Sequence, residues 1–384
     1  MKNRAGKFIT QAAGYKAFIP NPLPPEPPLR YDDELQTLLS QADRALARLD
    51  GIATVLPNPD LFIGMYVKKE ALLSSQIEGT QASLEGVLEF EADLAPKGDM
   101  VGVLEVINYI NAMNYGIERL KEFPMSLRLI KDVHKLLIEG TRGSHRAPGE
   151  FRRSQNWIGL SGATLNEAAF IPPPPSLVTE SMGDLEKFFY AKDTIPPLVK
   201  ISLIHAQFET IHPFLDGSGR IGRLLITFYL VWKEILSKTL LYISCYLKKY
   251  RSDYYDLLEK IRTEGAWEEW IKFFLKGVYV TSAEAAATAR EIMGLKEKLH
   301  EELYSRAIAS IYGVKLVDLL FAKPVISVND IIEGLRVSKE TASELVKKFE
   351  AAGILTEITG KKRYRKYAFR QYVAIIGRGT QDTL

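Results

Sequence analysis

The chain has 384 residues, 46% hydrophobic and 25% charged, with 27 glycines and 19 prolines; these are ordinary globular values, and they exclude collagen-like, disordered and coiled-coil classes. That length gives a prior of about two to three domains. With 50 basic against 47 acidic side chains the formal charge is +3, too small to argue for nucleic acid or anionic membrane over the whole surface, and the single cysteine, Cys245, excludes an intramolecular disulfide and a Cys-rich zinc site.

Residues 1–20 contain no apolar stretch long enough for a signal-peptide core, because Gly14, Tyr15 and Lys16 interrupt it. The longest apolar run, 224–232, falls far short of the roughly 20 residues that span a bilayer. No membrane partner is therefore expected, and a cytoplasmic setting is. Residues 20–29, PNPLPPEPPL, are too proline-dense for a helix or central strand and read as an extended arm. Helical spacing follows over 32–50, then from the Asn58 cap and Pro59 to Gly79, and over 101–121, 126–139, 177–190, 197–211, 220–235, 249–263 and 267–294. Two β-prone runs, 155–159 and 168–172, flank a loop with Gly162 and Asn166 and predict a hairpin, the one convincing β signal before the C-terminal region. From residue 326 the order is helix (328–335), helix (338–352), Gly353, a β-prone ILTEI and a basic KKRYRKYAF, which is the order of a winged helix. The fold class expected is mainly α with a small α+β module at the end.

The stretch 211–223, IHPFLDGSGRIGR, joins two apolar-periodic helices. Gly217 and Gly219 allow successive N–H groups to turn to one side just where the next helix begins, so amides and the positive helix end converge on one phosphate-sized spot. Arg220 and Arg223, three apart on one face of that helix, add forked donors. Asp216 is placed to hold Mg2+, which bridges one carboxylate to phosphate and keeps waters. His212 is then a candidate base for an incoming hydroxyl. A lone histidine ending an amphipathic helix is more often structural; the acid, two glycines and two arginines beside this one favour a functional role. Gly217, Gly219 and Gly222 also spell GxGxxG, but helical spacing over 197–211 and the absence of a following parallel-strand run reject a dinucleotide fold.

These residues resemble the Fic family, whose motif is HPFx[D/E]GNGRxxR. His212, Pro213, Phe214, Asp216, Gly217, Gly219, Arg220 and Arg223 match, and Ser218 stands where the family usually has Asn. The resemblance implies a mostly helical core that moves AMP from ATP to a hydroxyl side chain of a target protein. It implies His212 as base, Asp216 as Mg2+ ligand, and Gly217, Ser218, Gly219, Arg220, Ile221, Gly222 and Arg223 as the nucleotide-binding segment. Ser74, Glu78 and Gly79 resemble the inhibitory motif [S/T]xxxE[G/N] of the same family, which implies that Glu78 pairs with Arg223 and blocks the productive γ-phosphate pose. Removal of AMP, the reverse direction, stays open. Trp157 and Ile158 would lie in a flap that covers the nucleotide, the alternative being a plain structural hairpin. Tyr246, Tyr250 and Tyr254 recur every four residues and form either a core stripe or part of an adenine pocket. His205 is assigned to packing behind the site.

Three units are expected: a helical region over 1–100 with the inhibitory motif, a Fic core over 101–295, and a winged helix over 300–376. Six basic and no acidic side chains over 361–370 suit DNA phosphates, while protein contacts or a homodimer are the other use of such a module. The partners expected are thus ATP, an unidentified target protein or the chain itself, and DNA. The rival reading is a DNA-binding regulator whose Fic core senses nucleotide or removes AMP.

Overall fold

The computed structural model describes residues 3–55, 59–95, 98–159, 162, 164–305 and 310–380, the side chains of 53–55 and 59–62 excepted; the Asn58 cap lies outside them. Among the described residues there are fifteen α-helices and two small antiparallel sheets. In chain order the first elements are β1 (Gly6–Thr10), β2 (Lys16–Pro20), α1 (Asp33–Val55), α2 (Pro59–Ile77), α3 (Leu84–Glu91), α4 (Met100–Leu120) and α5 (Leu127–Ile138). The central ones are α6 (Pro175–Tyr190), α7 (Pro197–Ile211), α8 (Ser218–Trp232), α9 (Ser244–Lys249), α10 (Arg251–Glu264) and α11 (Trp267–Ser305). Last come α12 (Ile311–Ala322), β3 (Val325–Ser327), α13 (Val328–Leu335), α14 (Lys339–Ala351), β4 (Thr356–Glu357), β5 (Lys366–Ala368) and α15 (Arg370–Gly377).

Local chemistry sets many of these boundaries. Pro175 and Pro197 sit at first helical positions, where the missing N–H costs nothing. Ser83, Asp99, Ser126, Ser310, Ser327 and Ser338 accept hydrogen bonds from the exposed amides of the first turns of α3, α4, α5, α12, α13 and α14. Gly265, at φ 71°, closes α10 in the left-handed conformation. α7 and α8 form the central helical pair: every residue over 198–211 and 218–230 is buried. α2, α4, α5, α6, α10 and α11 surround them, and α1 packs along α11. Tyr229, Trp267, Trp270 and Phe274 are among the fully buried large side chains that fill this core.

The structure corrects the sequence expectation in several places. The hairpin expected from 155–159 and 168–172 is reduced to a single antiparallel bridge, Ile158 to Phe170. The reason is competition for backbone: the Ile171 carbonyl accepts from Phe18 N–H of β2 at 3.0 Å, and the loop turns on a short 3-10 segment capped by Thr164 and Glu167. The β1–β2 hairpin itself was not foreseen; each strand has only five residues, and the pairing depends on Phe18 packing against Phe170, their centroids 6.3 Å apart. The helix expected over 249–263 starts at Arg251, because Tyr250 leaves helical geometry (φ −111°, ψ 44°), and Lys249 ends the separate α9. The helix expected to end at 294 continues to Ser305, so α11 carries the chain from the core into the last unit, where Leu299 and Leu303 are buried. In that unit β3, β5 and β4 form an antiparallel sheet beside α13 and α14, with Ser338 capping α14 by accepting from Thr341 N–H.

Candidate functional site

α7 stops on His212, whose φ of 47° and ψ of 62° put it in the left-handed region, a conformation that a side chain other than Gly or Asn adopts only when its surroundings impose it. Those surroundings are visible. Arg152, 2% exposed, donates from Nε to the His212 carbonyl at 2.9 Å and from Nη2 to the carbonyls of Pro173 at 2.6 Å and Ile211 at 3.2 Å. Asn156 donates from Nδ2 to the carbonyls of His212 at 3.3 Å and Phe214 at 3.0 Å. The backbone of His212 is clamped, while among the described residues Nδ1 of its imidazole has no hydrogen-bond partner, the Glu209 carboxyl lying 3.9 Å away. Burial pushes the imidazole down to about 4, with Arg152 and Arg262 reinforcing and Glu78 opposing, so it is neutral at physiological pH and able to accept a proton.

The loop from Pro213 to Gly217 is held by two internal ties. His134 accepts Gly149 N–H at Nδ1 (2.9 Å), donates from Nε2 to the Asp216 carbonyl (3.0 Å) and stacks on Phe214 with centroids 3.7 Å apart. Ser218 Oγ accepts from Phe214 N–H at 3.0 Å and donates to the Phe214 carbonyl at 3.2 Å. The serine at this position therefore closes the loop on itself. Gly217, at φ 77°, delivers the chain into α8. At Gly219 a Cβ would stand 2.3 Å from Glu78 Oε1, so only glycine leaves room for that carboxylate over the helix end.

Asp216 has a side chain 37% exposed and receives Arg220 Nη2 at 3.0 Å on Oδ1. Arg220 is 4% exposed, and its Nε and Nη1 have no hydrogen-bond partner among the described residues. Buried guanidinium donors left unpaired are costly and point to a missing anion. Arg223, 1% exposed, is by contrast engaged through Nε and Nη2: Nε donates to Ser74 Oγ at 2.7 Å, and Nη2 donates to the Ser74 carbonyl at 2.9 Å and to Glu78 Oε1 at 2.7 Å. Burial opposes ionisation of Glu78, but Arg223, then Arg220, outweigh it and hold the carboxyl below its ordinary value. Burial likewise works against the Arg223 cation, yet Glu78 foremost keeps it more firmly protonated than usual.

His212, Asp216, the 217–219 turn, Arg220, Arg223, Ser74 and Glu78 thus meet at one place, the N-terminal end of α8, where Ile221 and Gly222 are buried in its first two turns. Gly79, at φ 91°, ends the segment that carries Glu78. Ile158 sits at the bridge to Phe170 and Trp157 is 43% exposed beside it. Tyr250 is not in this cluster: its ring lies 4.6 Å from Tyr246 and lines a separate cavity, while Tyr254 donates into the core beside His205 Nε2 at 2.9 Å. His205, fully buried, also contacts the Gly222 carbonyl through Nδ1 at 2.9 Å. Residues that sequence reasoning passed over are Arg152, Asn156, His134 and Glu209. His134, a polar group on the apolar face of α5 among Ile130, Val133 and Leu137, carried the one signal that could have found them.

Residues 36–118 match the family described as Fic/DOC family N-terminal, residues 124–230 match the Fic/DOC family, and residues 314–368 match an HTH DNA binding domain. A protein of Aquifex aeolicus named "Probable protein adenylyltransferase" is 27% identical over 274 residues, covering 62% of this chain and 79% of that protein. "Protein adenylyltransferase Fic" of Drosophila melanogaster is 28% identical over 227 residues, covering 54% of this chain but 40% of that longer protein. A crystal structure of a Fic family protein from Desulfovibrio desulfuricans G20 shares the fold at a TM-score of 0.59 and 21% identity, over 90% of this chain and 98% of that one. The chain thus carries a Fic/DOC family domain over 124–230, preceded by the N-terminal segment of that family and followed by an HTH domain.

Proposed function

We propose that the protein is a protein adenylyltransferase that transfers AMP from ATP to a hydroxyl side chain of a target protein and is held inactive by Glu78. The observation that supports this reading is the position of the Glu78 carboxylate, 2.7 Å from Arg223 and against the 217–219 turn, where on this reading the phosphate oxygens would have to bind. In the transfer, the imidazole of His212 takes the proton of the acceptor hydroxyl as its oxygen bonds to the α-phosphorus, and the bond to the β-phosphate oxygen breaks to release pyrophosphate. The amides of 217–219, the unpaired donors of Arg220 and, once Glu78 is displaced, Arg223 would bind the phosphates.

The residues present fit Mg2+: one partly exposed carboxylate, Asp216, and no group of three or more metal-binding side chains among the described residues, which suits a cation held largely by substrate phosphates and water. Bound there through Asp216, Mg2+ would neutralise charge on the phosphates and the departing pyrophosphate. The names of the Aquifex and Drosophila relatives support the same donor. Mass spectrometry of Glu78→Gly incubated with MgATP and cell lysate tests the reading: one adenylate added to a Ser, Thr or Tyr is expected, and a different mass or none contradicts it.

The second reading, DNA binding by the last unit, draws on the HTH match and on the exposure of Lys361, Lys362, Arg363 and Arg365 in the wing. The two readings are compatible in one chain. No helix of the described residues is long and apolar enough to cross a membrane.

A further inference from the structure

α2 touches more than the catalytic cleft. Ser74, which binds Arg223, and Lys69 are five residues apart, so they project about 140° apart around the helix. On the Lys69 side lies a second cavity of about 390 Å3 between α2, α9, α11 and the Arg378–Gly379 segment that follows α15. That volume falls within the range of small-molecule pockets.

Its walls combine charge and aromatic surface. Lys69 is 4% exposed as a residue, and among the described residues its ammonium forms no salt bridge, although the charge of Glu284 acts on it. Its near contact is the Tyr242 ring, 4.3 Å from Nζ to the centroid. A desolvated ammonium without an anion is costly, and a ring face offsets only part of that. Lys249 adds a second cation 5.4 Å over the Tyr250 ring, and Tyr250 leans on Tyr246 with centroids 4.6 Å apart. Arg378 is engaged elsewhere, gripping Glu291 through two bonds of 2.6 and 2.8 Å, and Glu284, which also lines the cavity, favours the charged form of Lys69 without making a salt bridge to it among the described residues. A largely buried lysine that forms no salt bridge among the described residues therefore faces a slot walled by tyrosine rings. Nothing in the AMP-transfer chemistry uses it.

We propose that this cavity is a binding site for a small aromatic anion, its phosphate or carboxylate seated on Lys69 and Lys249 and its ring against Tyr246 and Tyr250. Recognition needs both halves: the anion completes the ammonium, and the ring replaces water on the tyrosine faces. The site is independent of the AMP-transfer reading and of the residues at the end of α8.

The sole cysteine of the chain, Cys245, lines the same cavity and reports on it directly. Full-length protein is treated with 4,4′-dithiodipyridine with and without phenyl phosphate, 4-hydroxybenzoate or the neutral benzyl alcohol, and the two anions are also titrated by calorimetry. The anions are expected to bind and to slow thiol modification several-fold, benzyl alcohol to do neither. Lys69→Met is expected to weaken anion binding roughly tenfold or more, as the loss of a charge-assisted bond should; Arg220→Ala is expected to leave it unchanged. Lys249→Met serves if Lys69→Met does not fold. Absence of binding heat with both anions, equal binding by Lys69→Met, or loss of binding in Arg220→Ala overturns the proposal.

Discussion

Arg223 and Glu78 are joined by a 2.7 Å hydrogen bond from Nη2 to Oε1 across 145 residues of sequence. The pair links the last residues of the α2 segment to the second turn of α8. Glu78 follows the C-terminal end of α2, where a carboxylate meets the negative end of the helix dipole and is disfavoured by itself. Arg223 reverses that balance.

Ser74 supplies the other half of the clasp, through its Oγ and its carbonyl. In Ser74→Ala the Nε of a fully buried guanidinium loses its acceptor, which costs about 1–3 kcal/mol. Thermal denaturation should register that loss, and AMP transfer should rise to a level between wild type and Glu78→Gly. Unchanged stability together with unchanged activity would show that the contact does not help to hold Arg223.

His212 is expected to work as a neutral base. In the Glu78→Gly background, His212→Ala should lower AMP transfer by about 10²- to 10⁴-fold, the usual value of positioned proton transfer, with ATP affinity nearly unchanged by calorimetry. Burial holds the imidazole at about 4, and Glu78, which opposes that, is absent in this background. The pH profile of kcat/KM should therefore show no inflection near the ordinary value of 6.5, its acid limb lying well below. A limb between pH 6 and 7 would contradict the role or the environment assigned to this side chain.

Glu209 provides a stability test of the same neighbourhood. Burial lifts its carboxyl to about 7, with Arg223 and Arg262 opposing and Glu78 adding to the rise. A folded-state value above the ordinary 4.5 means that its contribution is intact below about pH 4.5 and is lost as pH rises through 7. Glu209→Gln should thus gain on wild type between pH 5 and pH 8, by an amount on the order of 2–3 kcal/mol in differential scanning calorimetry. A stability difference independent of pH would place the charge elsewhere.

For the last unit, replacing Lys361, Lys362, Arg363 and Arg365 by Gln should weaken DNA binding alike across sequences. The salt dependence should also flatten, by roughly 0.9 in the log–log slope for each phosphate that the wing no longer neutralises. Fluorescence anisotropy at several salt concentrations measures both; an unaltered slope would assign the basic wing to another partner.

The site was legible in the sequence to the extent that its chemistry is local. Residues 212–223 lie on one loop and one helix start, so their meeting required only the helix-loop-helix order, and the Glu78 segment was found by its motif. What the sequence did not reveal is held by long-range contacts. Arg152 reaches the His212 carbonyl across 60 residues, and nothing near it in sequence marks that bond. The β1–β2 hairpin depends on Phe18 finding Phe170, and the same meeting withdraws the Ile171 carbonyl from the hairpin that local β-propensity predicted. Tyr250 lies against Tyr246 in a separate cavity, at the one residue of non-helical backbone that divides α9 from α10. Ser218, which the resemblance assigns to the nucleotide-binding segment, also ties its hydroxyl to Phe214, a use that no spacing rule announces.

The most direct test compares wild type, Glu78→Gly and the Glu78→Gly, His212→Ala double variant for incorporation of label from α-labelled ATP, with magnesium, resolved on a gel. Strong labelling in Glu78→Gly alone, with wild type near background and the double variant silent, is the result the account requires. Equal labelling of wild type and Glu78→Gly would contradict it.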